Sequence, residues 1–225
     1  MIGLQIRKRQ RQVDARVVDS FRAIPVANIS DCMARMTAGG PRLRPMHGSG
    51  RLAGPALTVK TRPGDNLMIH KAISLAQPGD VIVVDGGGDL TNALIGEIMV
   101  NTAIKRGIAG FVMNGAIRDL DTIGAGTFPV YAAGVTHRGP YKDGPGEINV
   151  PIAIDGMVIQ PGDLIVGDAD GFLCVPFDDV EAVHRAATDK MAAEAKTMTA
   201  IAEGRLDISW IDAALKRIGC DPEPR

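Results

Sequence analysis

The chain has 225 residues, enough for one large domain or two small ones, and its 45% apolar and 23% charged residues are the balance of an ordinary globular protein. With 25 basic against 26 acidic side chains the net charge is −1, which excludes a disordered or polyanion-seeking chain. Five Phe, two Tyr and one Trp leave few platforms for stacked bases, so no nucleic-acid partner is expected.

In chain order, residues 1–12 (MIGLQIRKRQRQ) are basic without the apolar core of a leader, and no later apolar run approaches the roughly 18 residues of a membrane span. Cys32, Cys174 and Cys220 are odd in number and far apart, so neither a disulfide framework nor a metal knuckle is expected, and the chain is placed in the cytoplasm. The run Arg7-Lys8-Arg9 with Arg11 is read as a solvated helix end. Val17, Val18, Phe21, Ile24 and Ile29 predict two short helices broken at Pro25, with Ser30 and Asp31 able to cap the second. A strand is predicted over 51–61 and an amphipathic helix over 66–76. The continuous β-branched run 81–84 predicts a strand covered on both faces.

A glycine-rich loop follows over 85–92, then a helix over about 92–106 with Leu94, Ile95, Ile98, Met99 and Ala103 on one stripe and Gly107 as its stop. With a strand over 109–113 this completes a βαβ unit. Asn114-Gly115 is read as a tight turn before Arg118-Asp119, and a short strand follows over 128–131. The Gly/Pro-rich segment 134–146 is long enough to suggest function or a subunit contact. Short strands then cover 150–154, 157–159, 164–166 and 172–175, and helices cover about 178–218, the first opened by an Asp178-x-x-Glu181 capping box. The near-identical strings Gln77-Pro-Gly-Asp80 and Gln160-Pro-Gly-Asp163 are better explained by one recurring turn than by duplication. We expect a single α/β domain over 1–225 with a C-terminal helical tail.

The 85–92 loop is the sharpest chemical feature. Its glycines allow successive N–H groups to converge ahead of a helix N-terminus, which suits a small anion. The dinucleotide and Walker versions both fail, because a third glycine, a following acid and the lysine are missing. Arg118-Asp119 follows the next strand and could face the same crevice: the arginine fork would hold a carboxylate or enolate oxygen, and the aspartate would be a ligand for a hard cation. Glu97 is a second carboxylate, one turn into the predicted helix. His47, His70, His137 and His184 lack zinc spacing and are read as structural or surface residues.

The string from 85 to 119 (DGGGDLTNALIGEIMVNTAIKRGIAGFVMNGAIRD), with 158–176 (VIQPGDLIVGDADGFLCVP) and Gly54-Pro-Ala-Leu-Thr-Val59, resembles the family of regulator of ribonuclease activity A and the 4-hydroxy-4-methyl-2-oxoglutarate aldolases. The resemblance implies an α/β/β/α swivelling-domain sandwich, assembled as homotrimers or as trimers paired into hexamers, with sites between subunits. It implies a lyase dependent on Mg²⁺ or Mn²⁺ that cleaves 4-hydroxy-2-oxo acids such as 4-hydroxy-4-methyl-2-oxoglutarate or 4-carboxy-4-hydroxy-2-oxoadipate to pyruvate and an oxo acid, and decarboxylates oxaloacetate. Carried over by motif, Arg118 binds the pyruvyl group, Asp119 holds the metal, and Glu97 organises water around it. Gly88 and the backbone of Asn92, Ala93 and Leu94 hold the pyruvyl carboxylate, and Glu194 of a neighbouring subunit supplies a further acid. The family's usual Asp-Gly is Asn114-Gly115 here. Two alternatives stand beside this reading: a non-catalytic ribonuclease-binding regulator, and a Schiff-base aldolase using Lys60, Lys71 or Lys105.

Overall fold

The structure, a computed structural model, describes residues 3–37 and 39–223, so Met1 and Ile2 of the basic N-terminal stretch lie outside the described residues. The chain divides into two compact units, Met1–Ala187 and Thr188–Arg225.

The first unit runs through strand β1 (Leu4–Ile6), helices α1 (Ala15–Phe21) and α2 (Val26–Cys32), strands β2 (Arg44–Pro45) and β3 (Leu52–Thr61), helix α3 (Leu67–Leu75) and strands β4 (Val81–Asp85) and β5 (Ala93–Ile95). It continues with helix α4 (Glu97–Lys105), strand β6 (Gly110–Ile117), helix α5 (Leu120–Ala125) and strands β7 (Val130–Val135), β8 (Gly146–Ile148), β9 (Ile152–Ile154), β10 (Met157–Ile159), β11 (Leu164–Asp168) and β12 (Gly171–Val175). A 3₁₀ turn at Phe177–Asp179 opens helix α6 (Val180–Ala202), and helix α7 (Ser209–Arg217) follows in the second unit. Among the described residues no helix is long and apolar enough to cross a membrane.

The main sheet has the order β1-β8-β3-β4-β6-β7-β2, with β5 beside β6. Its centre, β3-β4-β6-β7, is parallel, and β4 and β6 are buried almost throughout, which is why they are continuous apolar runs rather than alternating ones. Strand β3 serves two sheets: Ala56 to Lys60 pair with β4, while Leu52 to Pro55 pair antiparallel with β11, which continues to β12. Three apolar clusters mark the layers. One lies between the sheet and helices α3, α4 and α5, built on Ile69, Ile82, Phe111 and Ile117. A second lies between the two sheets, with Tyr131, Val83, Ile154 and Cys174. The third packs β11 and β12 against α1, α2 and the start of α6 through Phe21, Ile29, Leu173 and Val183. This is the α/β/β/α sandwich expected.

The two Gln-Pro-Gly-Asp strings make the same turn. In each, the buried aspartate accepts the glutamine N–H at 2.8 Å and donates its own N–H back at 3.1 Å, with the glycine at positive φ (89° and 94°), as a type II turn requires. One turn starts β4 and the other β11, both of which pair with β3.

Four local expectations are corrected. Residues 93–95 form strand β5 rather than helix, and α4 begins only at Glu97, because Gly96 is extended (φ −154°) and Leu94 packs beneath the loop against Gly86 and Gly115. Asn114-Gly115 is not a turn: both lie inside β6, where Asn114 accepts from Arg42 Nη2 (2.7 Å) and donates to Asp85 Oδ1 (3.1 Å). Ser30 and Asp31 sit within α2, whose first N–H, from Val26, is capped at 2.9 Å by Asp168 Oδ2. The basic run is no helix end: Arg9 pairs with the buried Asp80 (2.7 Å) and Arg11 with Asp178 (2.8 Å), the acid expected to open the capping box.

Candidate active site

In the 85–92 loop, expected to cradle an anion, four amides are bonded within the loop and to the neighbouring strand. The N–H groups of Gly86 (3.2 Å) and Gly88 (3.0 Å) both donate to Asn114 O, Gly87 N–H to Asp85 Oδ1 (3.1 Å), and Thr91 N–H to Asp89 Oδ1 (2.8 Å). Gly88 is packed against Arg42 and Asn114, with φ 72°. The loop is a strand-ending knot, and its glycines serve positive φ and close packing.

The groups that converge lie just beyond it, where β5, α4 and the end of β6 meet. Arg118 leaves β6 with its N–H on Ile95 O (3.0 Å), so β5 sets its position. Asp119 sits in the left-handed region (φ 58°), where an aspartate is better tolerated than most residues. This conformation brings its Oδ2 to the N–H of Glu97 (2.8 Å), at the N-terminal end of α4, and within 3.7 Å of Arg118 Nε. Gly96 makes the approach possible: a Cβ there would stand 2.9 Å from Arg118 Cγ and closer still to Asp119 Oδ2.

Beside Arg118 opens a cleft of about 130 Å³, lined also by Ala93, Leu94, Gly96, Asn66, His70 and Lys142. Burial first, and then the charge of Lys142, hold the His70 imidazole below its ordinary pKa.

The structure therefore brings Arg118, Ala93 and Leu94 to one cleft, with Asp119 next to it through Gly96. Gly88 belongs to the Arg42–Asn114 packing instead, and Asn92 holds the 136–145 segment through Nδ2 to Gly139 O (2.5 Å). The Ala93 N–H is taken by Arg138 O (2.8 Å). Glu97, at the first position of α4 rather than one turn in, is exposed and borders a separate groove with Asn101, Ile104, Thr122 and Phe128. Glu194 is in the second unit, paired with Lys190 one turn away on α6 (3.1 Å). Sequence reasoning missed Asn66, His70 and Lys142 as cleft residues; only the length of the 134–146 segment, which carries Lys142, pointed there.

Among the described residues no three His, Cys, Asp or Glu side chains converge as a metal cage. An ion held by one carboxylate, with water and substrate oxygens completing its shell, needs no such cage, and Mg²⁺ is commonly bound in that way. Asp119, anchored through one oxygen by an N–H and set beside the cleft, fits that role.

A family model described as RraA-like, Aldolase/RraA, matches residues 26–174. A protein of Halalkalibacterium halodurans named "Putative 4-hydroxy-4-methyl-2-oxoglutarate aldolase" is 41% identical over 197 residues, 88% of this chain and 94% of that one. Among solved structures, an uncharacterized protein from Pseudomonas syringae pv. tomato superposes with a TM-score of 0.77 at 28% identity, covering 86% of this chain and 95% of that one. The RNA-processing inhibitor RraA from Thermus thermophilis gives 0.63 at 31% identity, covering 68% and 92%.

Proposed function

Because the chain belongs to the RraA-like family, which joins aldolases and RraA proteins, we propose that it is a divalent-metal-dependent lyase. Its substrates are 4-hydroxy-2-oxo acids of the 4-hydroxy-4-methyl-2-oxoglutarate or 4-carboxy-4-hydroxy-2-oxoadipate type, cleaved to pyruvate and a second oxo acid, with decarboxylation of oxaloacetate as a side reaction. The observation that carries this reading is the Arg118–Asp119 pair, locked to the start of α4 beside a cleft that Arg118 lines.

Breaking the C3–C4 bond of such an acid leaves the enolate of pyruvate, and loss of CO₂ from oxaloacetate leaves the same species. Its negative oxygen must be stabilised before the bond breaks. Arg118 does this with a fixed charge and a planar fork of N–H donors, positioned by its backbone bond to Ile95. A Mg²⁺ or Mn²⁺ ion held by Asp119 would add Lewis-acid polarisation of the 2-oxo group. The C4 hydroxyl proton must also leave; among the described residues no Asp or Glu lines the cleft, so we assign its removal to a metal-linked water held by Glu97, at the neighbouring start of α4, or by Glu194 of a neighbouring copy in a trimer or hexamer. The Schiff-base alternative draws no support from Lys60, Lys71 or Lys105, which are exposed and absent from the cleft lining.

The test is pyruvate release from 4-hydroxy-4-methyl-2-oxoglutarate and oxaloacetate with Mg²⁺, with Mn²⁺ and after EDTA, for the wild type and Asp119→Ala. Activity lost with EDTA and in the variant supports the lyase. Silence of the wild type under every metal overturns it and leaves the ribonuclease-binding reading, which the likeness to the Thermus inhibitor favours, for a ribonuclease pull-down.

A further inference from the structure

Arg118 can stabilise an enolate oxygen only if its fork is aimed, and the groups nearest its stem do not aim it. Asp119 Oδ2 faces Nε at 3.7 Å, too long for a hydrogen bond, and Gly96 bounds the side chain near Cγ and Nε. The far end meets main chain instead. A Cβ on Gly139 would stand 3.4 Å from Arg118 Nη1, so the bare glycine brings a stretch of backbone beside the guanidinium.

Gly139 belongs to the segment between β7 and β8, which is exposed from His137 to Gly139. Exposed backbone of this kind wanders unless it is tied down. Here Thr136 N–H donates to Ile117 O (2.9 Å), Ala93 N–H to Arg138 O (2.8 Å) and Asn92 Nδ2 to Gly139 O (2.5 Å). The first two are backbone bonds, which any residue but proline could make. The third depends on a side chain, and it reaches the residue beside Arg118. That side chain is itself confined. Gly64, at φ 72°, makes room for it: a Cβ there would stand 3.1 Å from Asn92 Cβ and 3.3 Å from Asn92 Oδ1. Gly64 O in turn accepts from Tyr141 N–H (2.8 Å), so Asn92 is wedged between the turn before α3 and the segment it holds. Asn92 also leads directly into β5, whose Ile95 O takes the Arg118 N–H (3.0 Å). One short strand thereby governs both ends of the arginine, its main chain through Ile95 and its guanidinium through Asn92 and Gly139.

We propose that Asn92 is a positioning residue for Arg118: its side-chain amide donates to Gly139 O and fixes the backbone against which the guanidinium lies. It touches no substrate and acts through the arginine. This assignment rests on the lyase reading above, in which the Arg118 fork stabilises the enolate.

A double-mutant cycle tests it, read as pyruvate release from oxaloacetate and from 4-hydroxy-4-methyl-2-oxoglutarate. A misplacement of about 1 Å costs on the order of 10²-fold, so Asn92→Ala should lower kcat by roughly ten- to hundredfold, with KM changed by less than about threefold because the fork works in the transition state. Asn92→Asp has the same shape but turns an acceptor toward Gly139 O, and should fall as far. In an Arg118→Lys background, which has no fork to aim, adding Asn92→Ala should cost less than about threefold more. A merely structural role costs the same factor in both backgrounds, and that result overturns the proposal. The second readout needs no turnover. The rate at which phenylglyoxal modifies Arg118, followed by mass spectrometry of the peptide that carries it, should rise by about threefold or more in Asn92→Ala and Asn92→Asp once the backing is loosened. An unchanged rate in both variants overturns the proposal. A wild type that cleaves neither acid with Mg²⁺ or Mn²⁺ overturns the lyase reading, and the modification rate then decides by itself whether Asn92 holds the arginine.

Discussion

Replacing Gly96 by alanine tests the geometry of the site without touching a charged group. Gly96 is extended (φ −154°, ψ −167°), a conformation open to any residue, so the substitution brings no backbone strain. What it brings is a methyl group 2.9 Å from Arg118 Cγ, 3.1 Å from Arg118 Nε and nearer still to Asp119 Oδ2. Carbon atoms rest about 3.5–4.0 Å apart, so the aspartate must yield by roughly 1 Å, a misplacement that costs on the order of 10²-fold in rate. The same movement breaks the Asp119 bond to Glu97 N–H, a helix-end contact contributing about 0.5–2 kcal/mol. At about 2–4 °C per kcal/mol for a chain of this size, the melting temperature falls by about 1–8 °C. Gly79→Ala is the control: nothing stands within 4 Å of its Cβ, and its φ of 89° makes the cost one of stability alone. Pyruvate release and thermal unfolding by circular dichroism measure both. A folded Gly96→Ala protein with turnover within threefold of wild type refutes the reasoning.

Arg118→Lys keeps the charge and loses the fork, and should cut kcat by about 10²–10³-fold with little change in melting temperature; near-normal turnover removes the arginine from the chemistry. Borohydride added with pyruvate should leave the protein mass unchanged, whereas a reduced adduct on Lys142 would replace the proposed mechanism by an imine. Burial, and next the nearby Asp163, raise the Cys174 pKa, so a thiol reagent at neutral pH should titrate Cys32 and Cys220 in the native protein and reach Cys174 only on unfolding; rapid native labelling of all three would contradict this. Co-expressed Arg118→Ala and Glu194→Gln chains, each inactive alone, should regain activity in mixed assemblies if the site draws Glu194 from a neighbour. Absence of recovery in verified hetero-oligomers rules out that assignment.

The parts of the fold that declared themselves in the sequence are those dictated by burial on both faces. Residues 81–84 could be nothing but an interior strand, and the Pro-Gly-Asp strings announced their turns. The start of α4 was misjudged because Leu94 and Ile95 fall in helical register with Ile98 and Met99, although Ile98 is exposed and Leu94 belongs under the glycine loop. Asn114-Gly115 has turn chemistry that tertiary bonding to Arg42 and Asp85 overrides. Strands β1 and β8 hold three residues each, too few for any period to show. Within the site, Arg118 and Asp119 were legible as adjacent residues. His70 and Lys142 were not, because they lie 72 positions apart and only tertiary bonds, such as those of the buried Asp65 carboxylate to the Asp143 and Gly144 N–H groups, bring their segments together.

The double role of β3 has a consequence for biosynthesis. Its second half meets β4 as soon as residue 85 emerges, but Leu52 to Pro55 wait for β11, whose first residue, Leu164, is 103 positions beyond Thr61. At ~5–20 residues per second the ribosome needs roughly 5–20 s to deliver it, and meanwhile a nascent apolar strand offers an unpaired edge to other chains. The waiting half ends in Pro55, which has no N–H to lend to an intruding strand. We predict that Pro55→Ala, by restoring that donor, increases aggregation of ribosome-arrested chains truncated before residue 164; equal solubility of the two nascent chains would show that the proline offers no such protection.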